Sequence, residues 1–274
     1  MFGSQTSFAL YSLASIIPVL LILFYVYKRD YFPEPPRVVL TTFALGVASI
    51  FPIQILIPFV EGIGENLQLY GEEYYFYISF IRAGFLEELF KWLILIFYCV
   101  RLDDFDEPMD ALVYGVAVSL GFAAYENFEY VTSYFINDGA NAAKSVLIHR
   151  SYTAIVLHSL CGVFMGFYLR EAIFSKENHR LNLFLSLFYP ICLHGFYDEI
   201  ILSPAFSIFW IYILLTLLVI RALYLFNKER KFQLSSLRQG SIPKCNQIQN
   251  SNIVLIISLS LGLLILALKL FQLF

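Results

Sequence analysis

Long apolar runs, separated by short polar stretches, repeat along nearly the whole chain. A transmembrane helix needs about 20 mostly apolar residues to cross the hydrocarbon of a bilayer. Eight runs meet this requirement, and they cover residues 8–28, 38–60, 74–100, 109–132, 148–172, 181–202, 206–226 and 251–274. The pattern therefore predicts an all-α fold, a polytopic transmembrane bundle of about eight spans.

The connections between the runs indicate one membrane domain over residues 1–274. Residues 29–37 contain three prolines and predict a turn after the first span, because proline cannot donate a helical hydrogen bond. Residues 227–250 are polar, basic and poor in aromatic residues, and they predict a cytoplasmic linker. The last span, 251–274, has no acidic residue or histidine, so we expect it at the periphery of a catalytic core formed by residues 74–202.

Basic residues are concentrated in alternate loops. They are Lys28, Arg29, Arg37, Arg101, Arg170, Lys176, Arg180, Arg221, Lys228, Arg230, Lys231, Arg238 and Lys244. The opposite loops hold few basic residues, and the loop after the second span is acidic. Because Lys and Arg favour the cytoplasmic side, both termini are predicted to lie outside the cell, in a multi-pass protein of the inner (cytoplasmic) membrane.

The amino-acid composition is typical of an integral membrane protein. Hydrophobic residues make up 59% of the chain and charged residues 14%, against about 45–50% and about 25% in soluble domains. No long basic tract is present to neutralise phosphates, which argues against nucleic-acid binding. The four cysteines are scattered without a CxxC pair, so a disulfide framework is not expected.

Titratable residues lie inside four of the predicted spans. The deepest are Glu87, Glu88 and Lys91 in the third span, Glu126 in the fourth, His158 in the fifth, and His194 and Asp198 in the sixth, whereas Glu129 and Glu199 lie nearer to helix ends. A charge at the middle of a membrane helix costs at least about 2.5–3.5 kcal/mol, so such residues are rare and usually functional. At a rise of about 1.5 Å per residue, the four spans bring these groups to a similar depth. The sequence therefore predicts one shared polar site.

Helical spacing groups these side chains further. Glu87 and Lys91 are four residues apart, and Glu88 and Lys91 are three apart, so the lysine can offset both carboxylates. His194 and Asp198 share one helix face in the same way.

A row of small residues predicts close helix packing beside the site. His158 begins a stripe with Gly162 and Gly166, and glycine lets a neighbouring membrane helix approach closely. We expect Gly115 and Gly121 to do the same for the fourth span.

The titratable residues occur in ordered motifs that resemble the PrsW family of bacterial intramembrane proteases. Residues 87–91 (EELFK) fit EExxK, residues 122–126 (FAAYE) fit FxxxE, and residues 194–198 (HGFYD) fit HxxxD, with His158 between the last two. The resemblance covers roughly residues 20–200. It implies a protease that cleaves a single-span, membrane-anchored anti-sigma factor outside the membrane or near its surface and so frees a sigma factor in a stress response.

A more distant resemblance connects the chain to membrane proteases of the CAAX-processing and bacteriocin-immunity type. Those proteins have a histidine where this chain has Glu126 and an asparagine where it has Asp198. The two differences put a prenylated protein substrate in doubt.

The residue types suggest how a peptide bond would be hydrolysed. Two histidines and one carboxylate form a hydrolytic zinc set that leaves a position for water. We expect His158, His194 and Glu126 to hold zinc, and Glu87 to act as general base. Asp198 is expected to support a ligating histidine, or to replace Glu126 as the third ligand.

The same residues are also compatible with other mechanisms and other functions. Glu88 is expected to orient a ligand or to hold Lys91, but two close carboxylates can also share a proton and catalyse hydrolysis without metal. An ion- or proton-coupled transporter and a non-catalytic scaffold also use intramembrane carboxylates, although no internal repeat supports a transporter of two matching halves. Any hydrolytic site needs water, so we expect a gap between spans or an opening toward the outer face.

Overall fold

The computed structural model describes residues 2–175, 177–239 and 248–271, and all regular structure in them is helical, as predicted. The α-helices are α1 (Phe2–Ala14), α2 (Ile17–Arg29), α3 (Pro36–Ala48), α4 (Ile50–Asn66), α5 (Glu72–Phe76), α6 (Leu86–Phe97), α7 (Pro108–Asp138), α8 (Ala140–Tyr152), α9 (Ala154–Phe174), α10 (His179–Leu202), α11 (Phe209–Gln239) and α12 (Asn250–Phe271). A π-helical segment, Tyr77–Phe85, joins α5 to α6, and a 3₁₀ turn, Cys99–Arg101, follows α6.

Six helical stretches of the described chain are long and apolar enough to cross a membrane. They are Phe8–Arg29, Pro36–Asn66, Pro108–Asp138, Ala140–Phe174, Phe209–Ser235 and Asn250–Leu270. The other two predicted spans, 74–100 and 181–202, are also largely helical. These two contain most of the titratable residues of the predicted site, which lower their mean hydropathy.

Helix α7 lies at the centre of the bundle. Every residue from Pro108 to Ala124 is buried. The helix packs mainly against α9 and α3, and α10 packs in turn against α9 and the π-helical segment. The elements that carry the predicted site are therefore neighbours in the core.

Glycines set the close contact between α7 and its partners. A Cβ added to Gly162 would overlap the carbonyl group of Gly115, and one added to Gly166 would overlap the carbonyl oxygen of Ala111. On the other side of α7, a Cβ on Gly121 would overlap the carbonyl oxygen of Phe43 in α3. The predicted role of these small residues is confirmed.

The outer helices present apolar side chains on the surface of the bundle. Exposed examples are Leu20, Leu21 and Phe24 in α2, Phe51, Ile55 and Phe59 in α4, and Val254, Leu255 and Leu266 in α12. A surface this apolar is unusual for a soluble monomer, but it is what lipid requires of a transmembrane bundle.

Two connections can be compared with the sequence predictions. The proline-rich stretch after α2 is a turn, since α2 ends at Arg29 and α3 begins at Pro36. Helix α11 continues to Gln239, so the first half of the predicted linker 227–250 is helical. Residues 240–247 of that linker lie outside the described part of the chain.

Candidate active site

The third predicted span changes its helical form just before its carboxylates. The π-helical segment Tyr77–Phe85 runs directly into α6, which begins with Glu87 and Glu88 in its first turn. π-helical turns are rare and often occur at functional sites. Here the segment passes so close to α10 that a Cβ on Gly84 would lie 2.9 Å from the carbonyl oxygen of Ile191. This contact brings the carboxylates against the helix that carries His194.

Glu88 is the fixed centre of a buried ion-pair network. Its Oε1 accepts hydrogen bonds from Lys91 Nζ at 2.7 Å and from His194 Nδ1 at 2.8 Å. Glu88 and Lys91 are fully buried, and the ammonium group also lies 3.9 Å from the centre of the Phe122 ring. Glu88 therefore holds both the lysine and one of the histidines, as the i,i+3 spacing suggested for the lysine.

Glu87 is buried but has a free oxygen. Its Oε2 lies 3.8 Å from Lys91 Nζ and 3.8 Å from His194 Nε2, and it has no hydrogen-bond partner. These distances exceed those of hydrogen bonds. The free carboxylate oxygen faces the nitrogen of His194 that Glu88 does not use.

His158 connects the network to a third carboxylate. Its Nε2 lies 2.8 Å from Glu126 Oε2, and its Nδ1 lies 3.2 Å from Lys91 Nζ. An ammonium group can only donate, so in this arrangement Nδ1 of His158 accepts and Nε2 donates to Glu126. The rings of His158 and His194 meet edge to face, with their centres 5.1 Å apart.

Arg150 is a site residue that the sequence analysis missed. Its Nη2 donates to Glu126 Oε2 at 2.7 Å, and its Nε donates to Asn127 Oδ1 at 3.0 Å. The side chain is only 16% exposed and also covers the ring of Tyr130. Arg150 belongs to α8 and lies near the start of the predicted fifth span, 148–172, and no helical spacing connects it to Glu126.

Asp198 completes the group of predicted side chains. Its Oδ2 lies 3.5 Å from His194 Nε2, and its side chain is 23% exposed. All seven predicted residues therefore meet in one cluster built from α6, α7, α9 and α10.

One subset of the cluster has the spacing of metal ligands. Single donor atoms of Glu87, His158 and His194 lie within 4.8 Å of one another. Glu126, which we predicted as a ligand, contacts His158 but is not part of that subset. Two imidazoles and a carboxylate are suitable ligands for zinc, with either glutamate as the third member.

A cavity of about 300 Å³ connects the cluster to the surface of the bundle. Glu87, Glu126 and Phe122 lie at its inner end, α4 forms one wall, and Arg82 and Glu129 lie along it. Arg82 pairs with Glu61 rather than with the site, at 3.4 Å. The cavity is a gap between helices that reaches two carboxylates of the cluster, Glu87 and Glu126.

Comparisons with known proteins point to one family. A family model described as "PrsW family intramembrane metalloprotease" matches residues 34–223. Protease PrsW of Bacillus subtilis (strain 168) is 40% identical over 208 residues, which are 75% of this chain and 88% of the relative. Protease PrsW of Geobacillus kaustophilus (strain HTA426) is 36% identical over 191 residues, 69% of this chain and 79% of the relative.

A clostridial relative shows the same similarity. Protease PrsW of Clostridioides difficile (strain 630) is 33% identical over 193 residues, 69% of this chain and 78% of the relative. No solved structure matches the chain significantly. The region matched by the family model, residues 34–223, contains the whole titratable cluster.

Proposed function

Because the chain belongs to the PrsW family of intramembrane metalloproteases, we propose that it hydrolyses a single-span anti-sigma factor of the cytoplasmic membrane at the Glu87–His158–His194 cluster. The observation that carries this proposal is the convergence of one carboxylate and two imidazoles from three helices within 4.8 Å, with the carboxylate, Glu87, lining a cavity. Hydrolysis needs such groups together with access for water and a peptide.

The metal that the family description implies fits this cluster as zinc. His158, His194 and Glu126 are the proposed ligands, and the buried, unpartnered oxygens of Glu87 and Glu88 indicate that the cluster favours a further positive charge. When bound, zinc would polarise the scissile carbonyl group and acidify a water molecule. Glu126 suits the role of ligand because its pairing with Arg150, at 2.7 Å, orients its carboxylate.

Two contacts of His158 would change on binding the ion. Its Nε2 donates a hydrogen bond to Glu126, so to act as a ligand through Nε2 the neutral ring would carry its proton on Nδ1 instead. Lys91 would then lose its 3.2 Å contact with Nδ1, while its bond to Glu88, at 2.7 Å, would be kept.

Glu87 is the proposed general base. A base must lie within hydrogen-bonding reach of the attacking water and must have a free oxygen, and Glu87 Oε2 is buried, unpartnered and adjacent to the cavity. The carboxylate takes the proton of the attacking water and passes it to the leaving amine. Lys91, at 3.8 Å, limits the repulsion between Glu87 and Glu88.

Glu88 and Asp198 are proposed as positioning residues. Glu88 accepts a hydrogen bond from the Nδ1–H group of His194, so the lone pair of His194 lies on Nε2, on the side of Glu87 and Asp198. Asp198 lies 3.5 Å from that nitrogen and adds negative charge beside a bound cation.

The proposal is tested by cleavage in proteoliposomes that contain the purified protein and a single-span anti-sigma factor. We expect one major cleavage, loss of activity after treatment with 1,10-phenanthroline, and recovery on addition of zinc. Cleavage that persists in fully demetallated protein would support the carboxylate-only mechanism instead. Absence of any cleavage, together with ion flux across the same vesicles, would support a transporter.

A further inference from the structure

A second group of carboxylates lies at the other end of α7. Asp30 follows α2, Glu107 precedes α7, and Asp110 lies in the first turn of α7. Single ligand atoms of these three residues lie within 4.8 Å of one another. Asp110 and Glu126 are separated by about 24 Å along the helix, at about 1.5 Å per residue, so this group is distinct from the candidate active site.

The negative charge of this group is not neutralised by a basic side chain. Within the described residues, no salt bridge reaches Asp30, Glu107 or Asp110. Arg230, one turn before Gln233 in α11, stacks on the Tyr31 ring at 4.7 Å instead. Glu34 adds a fourth carboxylate beside Asp110, where it accepts a hydrogen bond from Tyr114.

Burial makes this concentration of carboxylates costly. It raises the pKa of Glu107 to about 7, and the hydrogen bond from Gln233 opposes this rise while the nearby Asp30 adds to it. Burial likewise raises the pKa of Asp30. A bound cation or a proton would relieve this cost.

Helix capping explains only part of the arrangement. Oδ2 of Asp110 accepts the backbone N–H groups of Asp106 and Glu107, at 2.9 and 2.7 Å, and so caps α7. The Asp110 carboxyl group also lies against that of Glu34, with which it shares a hydrogen bond. Oδ2 of Asp30, in contrast, is buried and has no hydrogen-bond partner, so one carboxylate oxygen of the group remains after the cap is complete.

Gln233 is an independent indication that a ligand belongs here. It comes from α11, is 2% exposed, and its Nε2 donates to Asp30 Oδ1 at 2.7 Å and to Glu107 Oε1. Its Oε1 is buried without a partner. A half-turn of the amide group would direct this oxygen at the two carboxylates, which is favourable only when a cation lies between them.

We propose that Asp30, Glu107, Asp110 and Gln233 form a binding site for a hard divalent cation, Mg²⁺ or Ca²⁺. Carboxylate and amide oxygens are the ligands these ions prefer, and water fills the remaining positions. Glu107 is partly exposed, which gives the ion a path of entry. The site would tie α11 to the turn after α2 and to the start of α7, at the end of the bundle that the basic residues predict to be cytoplasmic.

Thermal unfolding of the full chain in a non-ionic detergent tests the site. We expect millimolar Mg²⁺ or Ca²⁺ to raise Tm by about 4 °C or more over protein in EDTA, since an ion that binds only the folded state stabilises it. Asp30→Asn and Glu107→Gln should each abolish the rise, while their Tm in EDTA is unchanged or higher because repulsion is relieved. Mg²⁺ and Ca²⁺ are chosen because they bind histidine poorly.

Glu65→Gln is the matched control, because Glu65 is an exposed carboxylate of α4, in a different part of the chain. This variant should keep the full rise in Tm. The proposal is overturned if neither ion raises Tm in the wild-type protein. It is also overturned if Asp30→Asn and Glu107→Gln show the same rise as the wild type, which would indicate non-specific binding to surface charge.

Discussion

Glu87→Gln is expected to reduce cleavage of a single-span substrate by about 10³-fold or more, with little change in Tm. General acid–base catalysis contributes about 10²–10⁴-fold, and the amide of glutamine can neither accept the proton of water nor return it. The substitution preserves size and removes a charge whose oxygen has no hydrogen-bond partner. Initial rates in proteoliposomes, at equal protein and substrate concentrations, provide the measurement.

The metal content of Glu87→Gln separates two roles for this residue. If Glu87 is the base and Glu126 the third ligand, the variant keeps its zinc and loses its activity. If Glu87 is itself a ligand, as its position near both histidines also allows, zinc is lost with the activity. Glu129→Gln, at the same cavity, is the control and should stay active. Full activity in Glu87→Gln would refute both roles.

Lys91→Met should destabilise the fold by about 3–5 kcal/mol, because it leaves Glu88 as an uncompensated buried charge. Lys91 and Glu88 are fully buried and 2.7 Å apart. The double variant Glu88→Gln/Lys91→Met should recover much of this stability, since both charges are then absent. It should stay inactive, because His194 loses the carboxylate that orients it.

Thermal unfolding in detergent measures this pair of variants. Lys144→Met, which removes an exposed lysine from α8, should unfold at the wild-type temperature. A Lys91→Met protein as stable as the wild type would show that Glu88 does not depend on the lysine. Failure of the double variant to regain stability would show that the pair does more than balance charge.

The sequence predicted the polar core well because two strong physical constraints act on it. The hydrocarbon thickness sets the length of the apolar runs, and the cost of charge in lipid makes each of Glu87, His158 and His194 conspicuous. Helical spacing then predicted that Glu88 and Lys91 would pair, which the structure confirms.

Contacts between distant elements were not predictable in the same way. Arg150 reaches Glu126 from 24 residues along the chain, across the break between α7 and α8. Gln233 reaches Asp30 from 203 residues away, out of a segment that its composition predicts to be a linker. The π-helical form of Tyr77–Phe85 also leaves no clear mark in the hydrophobic pattern. These features depend on tertiary packing, which local spacing does not encode.

The metal content of purified protein tests most directly whether carboxylates and imidazoles from separate membrane helices form one hydrolytic centre. Inductively coupled plasma analysis should find about one zinc per chain in the wild type, and far less in His158→Ala and in His194→Ala, with cleavage falling in parallel. Equal zinc in the wild type and both variants, or undiminished cleavage by either variant, would contradict this account.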